Sequence, residues 1–254
     1  NSDGLALYKD IPYICGIGGT APSTLKDLAD VRRVLNANKA PVSPRYAVWD
    51  TAADASLVTI PAIVNAEKSG STQALREGSL GRVMGLDNYM SQGIHQHTTG
   101  ITSASAVKVN GAVTKGANSL DIDGTALAGK LVKGDVLTID GKNYVVTEDS
   151  AAAVSNAISG VKVYPALPAI KDNADVTLAG SHTANLGFHP SAFAFVTRPL
   201  VNPSGVESYV TSYNGVSLRV VKGYNMQYKK ETLSMDVLYG YKTMYPELAV
   251  RAMG

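Results

Sequence analysis

The chain reads as an α+β protein whose mixed body is interrupted by an all-β module. Three observations predict this. One clean amphipathic helix stands near the start, at 23–38. From 101 to 181 the residues are small, β-branched and rich in turn formers. From about 186 onward longer alternating strands return. The simplest parsing joins 1–100 and 183–254 into one discontinuous body and sets 101–182 apart as a small inserted β domain.

Each element has a local reason. Residues 1–20 are irregular, with Gly16, Gly18 and Gly19 close together. The first helix carries capping-box spacing at Thr24 and Asp27, and Leu25, Leu28, Val31, Val34 and Leu35 form its apolar stripe. Pro41 and Pro44 prevent its continuation, and 45–50 (RYAVWD) reads as a short strand. A second helix is predicted over 51–60, ended near Pro61, and a third over 71–77, closed by Gly78 in a left-handed cap. Residues 82–91 read as one strand.

In the module the strand candidates are 107–109, 119–122, 135–139, 143–146, 160–164 and 175–178. Asn110-Gly111, Asp123-Gly124 and Asp140-Gly141 each fit a tight hairpin turn, because Asn, Asp and Gly tolerate positive φ. Short strands at this spacing predict a small barrel or sandwich. Beyond it, 191–197, 207–213, 216–221, 231–241 and 247–253 read as strands, with Asn214-Gly215 the strongest hairpin signal in the chain.

The chain has 254 residues, 45% hydrophobic and only 17% charged. A large core is affordable, and the charge-poor surface suits a chain that covers much of itself with neighbours. A net charge of +2 gives no electrostatic case for sequence-reading of nucleic acid, and the longest basic cluster, Lys229-Lys230, is followed at once by Glu231. The single Cys15 rules out an internal disulfide and agrees with folding in a reducing cytoplasm. No apolar run is long enough for a membrane helix, and no signal peptide is visible. Residue 1 is Asn rather than Met, so processing or truncation is expected.

No motif predicts catalysis, a cofactor or a metal centre. His95 and His97 would face one side of a strand, but a metal needs a further ligand, and His182 and His189 are distant in sequence. Polar loop residues beside the module are the expected role; a metal-dependent hydrolase is the enzyme alternative. Residues 16–20 (GIGGT) lack the Lys of a phosphate-cradling loop and read as a flexible leading segment. Cys15 has no activating partner in any recognisable motif and is expected to be a small, half-buried apolar residue. Glu67, Glu77 and Asp87 lie beside Lys68, Arg76 and Arg82, which predicts solvated or intersubunit ion pairs rather than acid–base chemistry. Of 13 Tyr in the chain, Tyr224, Tyr228, Tyr239, Tyr241 and Tyr245 crowd the end. Tyr buries area while keeping a hydrogen-bonding tip, so this run fits an interface as well as an ordinary half-wet sheet face.

Four segments, in order, resemble a known family. Residues 66–92 (AEKSGSTQALREGSLGRVMGLDNYMSQ) carry Arg76, Glu77 and Gly78, then Gly81, then Gly85, Leu86 and Asp87. Residues 131–141 (LVKGDVLTIDG) hold a Lys-Gly-Asp strand, and 161–166 (VKVYPA) look like a closing strand. Residues 233–254 (LSMDVLYGYKTMYPELAVRAMG) carry a Tyr-Gly step and a Pro-Glu-containing terminal strand. Together they resemble the coat proteins of tailed bacteriophages, with the HK97-like fold, in the branch that carries an inserted β-barrel. The resemblance runs from about residue 23 onward; the family's N-terminal arm and extended loop are not recognisable.

It implies a spine helix on a β-sheet, an axial domain bearing the insert, and a major capsid subunit of a phage or prophage. Such a subunit self-assembles in the bacterial cytoplasm, with scaffolding and portal proteins, into a virion shell that encloses DNA without reading its sequence. Candidate assembly residues are Arg76, Glu77, Arg82, Asp87, Tyr239, Tyr241 and Tyr245. The alternative is another virion component, a tail or decoration protein whose β domain binds a glycan.

Overall fold

A computed structural model describes residues 6–65 and 73–254. Sheet dominates these residues, and the α-helices all fall between Leu25 and Glu77. The chain divides into two compact units. One comprises the chain up to Ala192 together with Tyr245–Gly254, the other Phe193–Met244.

In the first unit, α1 (Leu25–Ala37) begins at a complete capping box: the Thr24 side chain accepts from the Asp27 amide, and the Asp27 carboxylate accepts from the Thr24 amide. Its buried stripe, Leu28, Val31 and Leu35, packs on a seven-stranded sheet. The spatial order along the sheet is β1 (Ile14–Gly16), β18 (Ala249–Met253), β12 (His182–Phe188), β2 (Tyr46–Trp49), β4 (Leu86–Met90) and β3 (Arg82–Val83). The seventh strand, β5 (Gln96–His97), pairs with the start of β12. Helix and sheet meet closely at Gly187, where an added Cβ would stand 2.3 Å from Val31 Cγ1. Trp49 is buried and donates to Asn88 Oδ1 at 3.0 Å. Beyond β2, α2 (Thr51–Val58) is capped by the Asp50 carboxylate, α3 (Pro61–Val64) starts on Pro61, and α4 (Gln73–Glu77) ends at Gly78 with φ +64°. The first two residues of the helix expected over 71–77 lie outside the described residues.

Residues 101–178 form a separate six-stranded sheet in the same unit. Its order is β11 (Val176–Leu178), β8 (Val136–Ile139), β9 (Lys142–Val146), β10 (Ala157–Tyr164), β7 (Ser119–Gly129) and β6 (Ile101–Val109). The two edge strands are bridged at Lys108 and Asp175. Leu120, Ile122, Leu137, Ile139, Val146 and Val161 belong to its own hydrophobic cluster. The two sheets of this unit carry separate hydrophobic clusters, and the compact units divide at 192/193 and 244/245.

The second unit contains a two-stranded ribbon, β13 (Phe193–Arg198) with β17 (Leu238–Thr243), and a three-stranded sheet. The order of the latter is β14 (Glu207–Tyr213), β15 (Val216–Asn225), β16 (Lys230–Asp236).

Of the predicted turns, Asp140-Gly141 and Asn214-Gly215 are two-residue hairpins with both φ positive (49° and 73°, 49° and 82°). Two others are corrected. The chain at Asn110-Gly111 leaves β6 without turning back; the Gly111 amide donates to Asp172 Oδ1 at 2.8 Å, and Val113 pairs with Ile170. Asp123-Gly124 lies inside β7, where a Cβ on Gly124 would come within 3.0 Å of Ser105 O: the glycine admits a close strand rather than a turn.

The strand expected over 82–91 is a hairpin, β3 and β4, turning on Met84 and Gly85 with φ 54° and 79°. The strand expected over 231–241 breaks at Val237, because β16 pairs with β15 and β17 with β13. The leading segment expected to be irregular contributes η1 (Leu7–Asp10) and β1. The glycine run expected to be flexible lies at the surface but is tied to the last strand at two points: a Cβ on Gly16 would stand 2.7 Å from Met253 O, and Gly19 donates to Gly254 O at 3.2 Å. Among the described residues no helix is long and apolar enough to cross a membrane.

Candidate assembly surface and buried joint

Residues 193–244 bury no apolar side chain among the described residues; only Ser217 and Thr243 are buried there. The reason is visible in the strand register. Tyr209, Val220 and Met235 stand side by side across the three-stranded sheet, and Tyr213 opposes Val216 on the same face. Tyr209 is 67% exposed, Tyr213 85% and Met235 67%, and Tyr224 and Leu233 add to the same face. Two charge pairs form across the strands: Arg219 donates to Asp236 at 2.6 Å, and Lys222 stands 3.5 Å from Glu231, the latter pair on the same face as Tyr224 and Leu233. A sheet this small holds its form only when an apolar face is covered. The periodicity of 207–236 signals the strands; that one face stays bare is not legible in it.

The expected assembly residues fall in three places. Arg76 and Glu77 are exposed in the last turn of α4. Arg82 and Asp87 are cross-strand partners in the β3–β4 hairpin, with Nε 3.7 Å from Oδ1, so this ion pair forms within the chain and is solvated. Tyr239 and Tyr241 lie on β17 with ring centroids 6.2 Å apart, Tyr239 also 6.1 Å from Phe195. Tyr245 is exposed in the first unit, just before the short helical turn Pro246–Leu248. Glu67 and Lys68 lie outside the described residues.

His95 lies in the loop before β5, as expected, whereas His97 departs from its expected role. His97 is not a polar loop residue: it is buried on β5, opposite buried His182 on β12. Its Nε2 donates to Asp135 Oδ1 at 2.8 Å, and Tyr8 Oη lies 3.4 Å from its Nδ1. Asp135 also accepts from the Val132 amide at 2.8 Å through its other oxygen. Fully buried Arg251, from β18, donates to the carbonyls of Gly134 (2.8 Å), Ile11 (3.1 Å) and Tyr8, and stacks over the Tyr8 ring at 5.1 Å. Gly134 has φ +100°, and a Cβ there would meet Lys9 Cγ at 2.7 Å and His97 Cε1 at 3.2 Å. The Lys133-Gly134-Asp135 motif thus forms the turn on which the 101–178 sheet meets the main sheet. Sequence spacing could not reveal this, since the partners sit at 8, 97, 135, 182 and 251.

Burial lowers His182 to about 4 and brings Arg251 down to about 10, and it raises the Tyr8 phenol. Cys15 is buried, and desolvation pushes its thiol up to about 12, which leaves it inert as a nucleophile at neutral pH. Among the described residues no group of three His, Cys, Asp or Glu side chains is placed to hold a metal ion.

No protein-family model matches the chain, and no curated protein does. Solved structures similar to it include two from phages. A chain of Mycobacterium phage Che8 aligns with a TM-score of 0.47 and 14% identity, over 97% of this chain and 54% of that one. A chain from the capsid structure of the cyanophage P-SCSP1u aligns with a TM-score of 0.46 and 13% identity, over 99% of this chain and 59% of that one. The chain spans little more than half the length of these two phage chains.

Proposed function

We propose that this chain is a structural subunit of a phage or prophage icosahedral shell, a major capsid protein of the HK97-like kind, with no catalytic role. The observation that carries the reading is the 193–244 unit, which has a face of exposed tyrosine and aliphatic side chains and no buried apolar side chain among the described residues. A surface of this kind is completed by association, and symmetric repetition of one contact closes a shell. The four sequence segments that resemble phage coat proteins support the choice of partner: further copies of the same chain, with scaffolding and portal proteins.

In this reading α1 across the main sheet is the spine helix, and the 101–178 sheet, with its bridged edges and own core, is the inserted barrel. Each contact is individually weak and many act together, so misplaced subunits can leave while the finished shell persists. The shell encloses DNA in the virion after assembly in the host cytoplasm.

The test is assembly of the full-length product with its scaffolding partner, followed by light scattering and negative-stain microscopy. Closed shells are expected, and Tyr209→Ser and Tyr239→Ser are expected to lower their yield while the unassembled chain keeps its far-UV circular dichroism. Only monomeric or amorphous material across scaffold and salt conditions overturns the reading.

A further inference from the structure

The contact between the two sheets of the first unit is polar, buried and electrically lopsided. Its carboxylate, Asp135, is held by His97 and by the Val132 amide. No carboxylate hydrogen-bonds to His182 among the described residues; the Asp135 charge reaches it only through space. Its Nδ1 lies 2.8 Å from the Gly180 carbonyl, which can only accept, so Nδ1 carries the proton and Nε2 is the bare nitrogen. That nitrogen faces an N–H of Arg251 at 3.4 Å. A proton added at Nε2 turns the acceptor into a donor, aimed at a guanidinium that is itself fully buried and whose Nε finds no partner among the described residues.

The other groups around the ring are accounted for. η1 contributes Tyr8 and, further out, Asp10, which is neutralised by Lys133 at 3.1 Å. β5 contributes His97, with ring centroids 5.3 Å apart, and His95 stands beyond the Tyr8 ring. The turn before β8 contributes Asp135, already engaged, and β18 contributes Arg251.

We propose that this cluster is an acid-operated joint: protonation of His182 against Arg251 loosens the 101–178 sheet from the main sheet while each sheet keeps its own core. The consequence is a change in how the module is held, within a chain that stays folded. Arg251 has three carbonyls to hold, two from the η1 segment and one from Gly134, so displacing its guanidinium releases both sides of the contact together. The low proton affinity that burial gives His182 puts the response in mildly to moderately acidic solution.

The experiment is amide hydrogen exchange on the full chain at about pH 7 and about pH 4.5, corrected for the intrinsic effect of pH, with wild type and His182→Gln. In wild type, segments 8–11, 95–97 and 132–135 are expected to lose protection by roughly tenfold to a hundredfold, while 25–37 and 136–146 keep theirs. The variant is expected to lack this response. Unchanged wild-type joint segments, loss of protection throughout the chain at once, or a retained acid response in His182→Gln each overturns the proposal. Should the variant fail to fold, NMR titration of the wild-type His182 ring decides: a midpoint that coincides with joint opening supports the proposal, and one that does not overturns it.

Discussion

At the scale of single residues, the buried polar cluster sets two expectations. Removing the Arg251 guanidinium as Arg251→Met leaves three buried carbonyls without their donor, and such changes cost about 3 kcal/mol. Urea unfolding should show that loss as a lowered midpoint with little change in slope.

The second expectation concerns pH. His182 titrates near 4 in the folded chain, against 6.5 unperturbed. Above 6.5 the ring is neutral in both states and contributes no pH dependence. Between those values the unfolded chain takes up the proton and the folded chain does not, so stability falls as acid is added and the fall ends below the folded value. The total is roughly 3 kcal/mol. Unfolding midpoints measured from pH 7 downward should follow this course, and His182→Gln should flatten it.

At the scale of elements, helix and hairpin chemistry was legible where it was local. The Thr24–Asp27 capping box, the α1 stripe, Gly78 after α4 and the two Asx-Gly hairpins all lie within a few residues of the groups they bond. Met84-Gly85 was not legible, because its first residue adopts positive φ without being a type that favours it; the β3–β4 pairing imposes the turn. Gly141 has φ +73° and open space around its missing Cβ, so Gly141→Ala tests backbone strain alone and should cost about 1 kcal/mol in thermal or urea unfolding.

Gly187 is the opposite case. Its Cβ would overlap Val31 Cγ1, and Gly187→Ala should cost about 2 kcal/mol by pushing α1 off the sheet. In a double-mutant cycle with Val31→Ala that cost should largely disappear, since the colliding methyl is gone.

At the scale of the whole molecule, the contrast between the units is one of buried core. The main sheet and the 101–178 sheet each close over their own apolar cluster; residues 193–244 close over none among the described residues. Amide exchange of 207–236 is therefore expected to be fast in the unassembled chain and to slow markedly on assembly, with little change in 25–37. Equal protection before and after assembly would mean that this face lies outside the contacts between subunits.

The sequence by itself determined neither α3 nor the central strand β12, but it determined the three longer helices, most strands and the concentration of tyrosines near the end. Each of these depends on periodicity, capping or turn formers that act over a few neighbouring positions. Only the tertiary structure decided that 82–91 folds back on itself, that 193–244 is a separate unit with a bare face, and that His97 is buried against Asp135. Those outcomes depend on which distant strands become neighbours. A residue's partner across a sheet or between two sheets is fixed by register and packing, and no local spacing records it.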